Sequence, residues 1–259
     1  MKHTKHREPN SVQKVVFFCL FVLLLISISL GIRFVTLVRS SSFDGNHRYT
    51  IEIKKNEKEA KIISLDPTKK RMLVLFITSN DKLPKLDLAL GLPIDTVVNH
   101  NTSLERSVIS DLSNLLFNLH VNGYDMVRLI AASKTITDED TVRLRFSYPL
   151  PQEEFEEKTV DLMTDSGIEE DNKTVSITNA SEVSGIGSRF GSLLENIGGA
   201  VIAVNSAPQI SKKTTLEYYG EPSYTVHKLE KLLKVTGKMK EERGLSDIEI
   251  TLGSDQETE

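Results

Sequence analysis

The 259-residue chain has no tryptophan, a single cysteine and only 6% aromatic residues. The lone Cys19 excludes an intramolecular disulfide and any cysteine-rich zinc site, both of which need a second thiol. Without tryptophan the chain has little from which to build a carbohydrate-stacking platform. A strong charge of one sign is lacking too. Lys+Arg 32 against Asp+Glu 36 leaves −4, and a dedicated nucleic-acid binder would show a clear basic excess. What is present, 39% hydrophobic and 26% charged residues, is ordinary for a folded protein and excludes wholesale disorder, collagen and coiled-coil composition. The length fits one large domain or two small ones.

The apolar residues are unevenly placed. Val15 to Leu30 carries no charge, and apolar character resumes after Arg33 as far as Val38. A helix crossing ~30 Å of hydrocarbon needs about 20 such residues, so residues 15–38 read as a transmembrane helix extended by a snorkelling Arg33. Lys2, Lys5, Arg7 and Lys14 against Glu8 put residues 1–14 in the cytoplasm by the positive-inside rule and the rest of the chain outside it. A cleavable signal peptide would have a shorter run and an A-x-A-like site, whereas this run continues into LGIRFVTLV. Cys19 lies in mid-span without the small residue expected just before a lipoprotein cysteine.

Beyond a short polar stem (Ser40 to Asn46), residues 47–148 read as a small mixed α/β domain. Strands are expected at Tyr49–Ile53, Lys61–Asp66 and Arg71–Thr78, the last apolar enough to be covered on both faces, with a Pro67 turn between the second and third. Thr102 and Glu105 form a capping-box start, and Leu104, Val108, Leu112, Leu115 and Leu119 mark one face of a helix. Met126–Ser133 and Thr141–Ser147 read as further strands. Residues 149–173 carry nine acidic side chains against Lys158 and Lys173, which predicts a solvated acidic linker. Residues 174–255 follow the order β-α-β-β-α-β, the pattern of a ferredoxin-like split βαβ, with Lys228, Lys231 and Lys234 on the outer face of the second helix. The whole is of the α/β (α+β) class.

The search for chemistry returns little. The six histidines form no H-x-x-x-H pair, and no G-x-S-x-G or Walker A motif occurs, so neither metal, cofactor nor catalytic residue is assigned. One segment has a physical rationale as a ligand site. Asn179, Ser181, Ser184 and Gly185 stand at a strand-to-helix junction, where free N–H groups and the helix dipole suit an anion or polar group; the alternative is that Asn179 and Ser181 simply cap and turn, with Glu182 suiting the dipole by itself.

The stretches KTVSITNASEVSGIGSRFGSLLENIGGAVIAVNSA, SYTVHKLEKLL and DIEITLGSD resemble the C-terminal domain of the LytR family. The elements that carry this are the strand Val175–Asn179, the turn glycine Gly185, the strand Ala200–Val204 and the closing segment Asp247–Asp255. IISLDPTKKRMLVLFIT and GLPIDTVV (Gly91–Val98) are similar to the start of a LytR–CpsA–Psr domain, here shortened and degenerate. That resemblance implies phosphotransfer of glycopolymers from a polyprenyl-pyrophosphate carrier to peptidoglycan. The chain departs from it. Ile77 to Asp81 lacks the family's arginine, the arginine-rich pyrophosphate stretch has no counterpart, and Arg106 and Arg128 stand in no matching motif. The expectation is therefore a single-pass, non-catalytic cell-envelope protein binding peptidoglycan, an anionic wall polymer or another envelope protein, and no nucleic acid. The alternative is a divergent glycopolymer–peptidoglycan phosphotransferase. The family's historical label of attenuator suggests a regulator, but no helix-turn-helix pattern supports direct DNA binding.

Overall fold

The computed structural model describes residues 11–99, 107–115 and 122–256. The N-terminal basic residues Lys2, Lys5 and Arg7, the Thr102–Glu105 capping box, Arg106 and Leu119 lie outside the described residues. The first element is a helix, α1 (Ser11–Arg39). Its Lys14–Arg39 portion is long and apolar enough to cross a membrane, and by length, composition and position it also fits a signal sequence.

The stem after α1 is not loose. Phe43 is only 2% exposed and belongs to the first hydrophobic core, so the first module starts several residues earlier than the expected 47. That module is built on the strands β1 (Tyr49–Lys54), β2 (Glu59–Asp66) and β3 (Arg71–Ser79). They form an antiparallel meander, extended by β4 (Thr96–Asn99) parallel to β1 and β5 (Thr141–Tyr148) parallel to β3. The sheet order is β4-β1-β2-β3-β5. Alternation along the strands sends Ile51, Ile53, Ile63, Leu65 and Val74 to one face and Ala60, Ile62, Leu73, Leu75 and Ile77 to the other. On the first face pack α3 (Val108–Leu115) and α4 (Gly123–Ser133); on the second, α2 (Leu86–Leu90) and α5 (Gln152–Met163). A sheet covered on both sides explains why RMLVLFIT is nearly all apolar.

Two expectations fail here. Met126–Ser133 is helix, not strand, because Asp125, Met126, Leu129 and Ser133 are buried at a spacing of three to four and Asn122 caps the helix by accepting the Tyr124 N–H at 2.9 Å. The acidic linker is also absent. Residues 152–163 are α5, and α6 (Ser166–Asp171) follows. Phe155 and Met163 enter the second core of the first module, while the acidic side chains Glu154, Glu156 and Glu157 face solvent. Charge density described the outer face of an amphipathic helix, not a missing one.

The second module contains β6 (Thr174–Asn179), α7 (Ile186–Asn196), β7 (Ala200–Ser206), β8 (Thr215–Tyr219), α8 (Tyr224–Leu233), β9 (Lys238–Lys240) and β10 (Ile248–Leu252). Its helices bury Phe190, Leu193, Leu194, Val226, Leu229 and Leu233 against Val175, Ile177, Leu216, Ile248 and Ile250 on one face of the sheet. The ferredoxin-like arrangement is not the one adopted. Its sheet order is β7-β6-β10-β8-β9, with β6 and β7 parallel hydrogen-bonded neighbours. A split βαβ would insert another strand between those two, and element order alone does not decide which strand sits where.

Candidate functional site

The sequence-predicted ligand residues sit on the β6–α7 loop, and the structure gives most of them another task. The Asn179 side chain accepts from the Ser181 N–H and hydroxyl, both at 2.9 Å, and donates to the Val183 carbonyl at 2.9 Å. The Ser181 hydroxyl accepts the Val183 N–H at 3.1 Å. Asn179 and Ser181 therefore staple the loop to itself. Neither caps α7, whose N-cap is Gly185 at φ 77°, a left-handed conformation that favours glycine. Ser184 and Gly185 are exposed at the same end. The closing motif is structural as well. A Cβ on Gly253 would stand 2.4 Å from the Lys213 backbone carbon, and Asp255 accepts the Thr214 N–H and hydroxyl, the latter at 2.6 Å.

A cationic cleft that sequence reasoning missed lies on the first module. Arg143 and Arg145 alternate along β5, and so share a face, in register with Val74 and Phe76 of β3. The Arg145 guanidinium lies 4.8 Å from the Phe76 ring centroid, and the Lys61 ammonium, from β2, lies 5.2 Å from the same ring. Lys61 is buried and ion-paired with Asp111 of α3. Arg143 pairs with the exposed Asp138 at 2.9 Å, and Lys158 of α5 with Glu154 at 2.6 Å. Among the described residues Arg145 has no carboxylate partner. The cleft encloses about 610 Å³. Chemically it offers two planar guanidinium forks beside an aromatic face, suited to an anionic group. Its only trace in the sequence is the R-x-R of a strand. Arg128, by contrast, is spent on structure, donating to the Phe43 carbonyl at 2.7 Å and to the Asp44 carbonyl.

The third polar concentration joins the modules. Arg48, 4% exposed, donates to the Thr164 carbonyl and the Ser64 hydroxyl, both at 2.9 Å, and lies 3.4 Å from Asp66. Lys228 of α8 donates to Asp95 at 2.7 Å and to the Arg48 carbonyl at 3.2 Å, so it is buried, not on the solvated face expected for it. The Tyr224 hydroxyl donates to Asp165 at 2.9 Å. Burial pushes the Asp165 carboxyl above the usual carboxylate range, although Lys228, Tyr224, the Gly167 N–H and Arg48 pull it down. Burial likewise raises the Tyr224 phenol, reinforced by the nearby Asp165 charge. The named donors and acceptors of this cluster satisfy one another, which makes it a weld between modules. Elsewhere α2, α5 and α7 border a groove of about 810 Å³, lined by apolar (Leu88, Leu150, Val160) and charged (Lys85, Glu156, Arg189) side chains. Among the described residues no three His, Cys, Asp or Glu side chains gather as a metal site.

The second module thus has a core of its own, in which two helices cover one face of the sheet. Residues 172–255 match the family model LytR_C, described as LytR cell envelope-related transcriptional attenuator. No curated protein and no solved structure matches the chain.

Proposed function

We propose that this is a membrane-anchored protein of the bacterial cell envelope. In this reading α1 spans the membrane with its N-terminus in the cytoplasm, and the two modules stand outside it, holding a wall component or another envelope protein without catalysis. The observation that carries the anchor is the contact between α1 and the folded body. Asn122 donates to the Leu37 carbonyl at 2.9 Å, and Phe34 packs on Tyr124. These contacts tie α1 to the body and favour a retained helix over a removed leader. The LytR_C match supports the envelope assignment. The test is retention of the full chain, in mild detergent, by purified cell-wall sacculi. Retention at low salt is expected; passage through the sacculi removes wall binding and leaves an envelope protein as the partner.

A second reading, a divergent glycopolymer–peptidoglycan phosphotransferase, draws on one observation, the gathering of Arg143, Arg145 and Lys158 in one cleft. Catalysis on a diphosphate needs several fixed cationic donors, and two of these three already answer a neighbouring carboxylate. Incubation of the full chain with a lipid-linked pyrophosphate substrate and Mg²⁺ separates the readings. No transfer above blank is expected. Transfer that is lost in the double variant Arg143→Ala, Arg145→Ala would establish the enzyme.

A further inference from the structure

The folded body does not hang below its helix on a free stalk. Asn122, at the start of α4, also donates to the Ser40 hydroxyl at 3.1 Å, and the Ser42 N–H donates to Asp125 at 2.8 Å. The Ser41 hydroxyl bonds the same carboxylate. The Tyr124 ring stands edge-on to Phe34 with centroids 6.2 Å apart. Since α1 ends at Arg39, Phe34 lies about 7.5 Å back along the helix axis at ~1.5 Å per residue. The start of α4 therefore sits beside α1, not beyond its end.

Charge fixes where that level falls. Val15 to Ile32 is uncharged and bracketed by Lys14 and Arg33. At ~1.5 Å per residue it rises about 27 Å, close to the ~30 Å of a hydrocarbon core. With that run in the hydrocarbon, Phe34 to Arg39 occupy the interfacial layer, where aromatic rings concentrate and cations meet lipid phosphates. Tyr124 is held at the same depth by its contact with Phe34.

We infer that the start of α4, centred on Tyr124, is seated in the lipid headgroup layer, with Phe34 and Tyr124 as an aromatic anchor and Arg33 and Arg39 as the cations at that depth. This rests on α1 spanning the membrane, as proposed above. The partner is the bilayer surface itself, because the surface is continuous with the span. The seat also orients the rest of the body, since Lys231 of α8 donates to the Ser42 carbonyl at 3.3 Å and so ties the second module to the same exit.

The chain contains no tryptophan, so one introduced indole reports alone. Full-length Tyr124→Trp is reconstituted in phosphatidylcholine–phosphatidylglycerol vesicles containing lipids brominated near the headgroup. Gly123→Trp is a second reporter, since a side chain at Gly123 meets no atom within 4 Å. Tyr219→Trp, exposed on the second module, is the reference. The expected result is a blue-shifted emission for the α4 reporters with loss of most of their intensity to the bromines, and neither change for position 219. If the protein floats with the vesicles but both α4 reporters match the reference, the seating is wrong and the span stands. If it does not float, the span is wrong and the seating falls with it.

Discussion

Asp247 shows how a single carboxylate fastens two strands. It accepts the Thr174 N–H at 3.0 Å and the Thr174 hydroxyl at 2.8 Å, joining the start of β10 to the start of β6. Those two bonds, with Arg243 and Lys173 nearby, outweigh desolvation and hold the carboxyl below its ordinary range. A depressed pKa favours the folded state above the unfolded value of ~3.9, and the contribution is lost as pH falls through the folded value. Asp247→Asn should therefore cost about 1 kcal/mol at neutral pH and almost nothing once the pH is low enough to protonate the folded carboxyl, because charge-assisted bonds are the stronger kind. Denaturant titrations of wild type and variant at the two pH values check this, and an equal loss at both would show that charge is not involved. None of this was legible in the sequence. Asp247 and Thr174 are 73 positions apart, and nothing local marks them as partners. At Asn179 the sequence leaves a ligand role and a turn role both open, and the bonds of its side chain within its own loop fit the turn.

At the scale of elements, hydrophobic period was a good guide wherever one face is buried and a poor one where both patterns fit a short run. The strands β1 to β3 and β10 and the helices α7 and α8 were readable because their apolar positions repeat at two or at three to four. MVRLIAAS fits either period over eight residues, and only the cap at Asn122 and the burial of Asp125 decide for α4. The acidic run of α5 misled because charge was weighed above the few apolar residues spaced along it. The energetic consequence is direct. Phe155 is buried against Phe146, with ring centroids 5.2 Å apart, so Phe155→Ala should cost about 3–5 kcal/mol. Neutralising Glu157 on the exposed face should change stability by no more than about 0.5 kcal/mol. Paired urea denaturation curves test the contrast, and a solvated linker would make both substitutions silent.

On the scale of the whole molecule, the question is whether two modules with separate cores behave as two bodies. Sequence reading could divide the chain into two but had no means of judging their junction, since Arg48, Asp95, Asp165 and Lys228 are far apart along it. The structure answers through their burial. Inter-domain surfaces left mobile are small and wet. This one places Arg48 and Lys228 out of solvent and adds the contact of Asn196 with the Gly91 carbonyl at 3.3 Å. Buried ion pairs give little net stability, because desolvation offsets attraction, but breaking one leaves a charge stranded and so penalises every misaligned arrangement. The two modules should accordingly unfold together, with calorimetric and van't Hoff enthalpies agreeing over one transition. Lys228→Ala strands Asp95, which among the described residues keeps the Thr50 N–H at 2.8 Å. A loss of about 3 kcal/mol follows, expressed as a lower midpoint for the whole transition. Should calorimetry instead resolve two transitions in the wild type, with the variant moving neither, the junction would be a contact and not a weld. The contacts with α1 would then hold the first module alone.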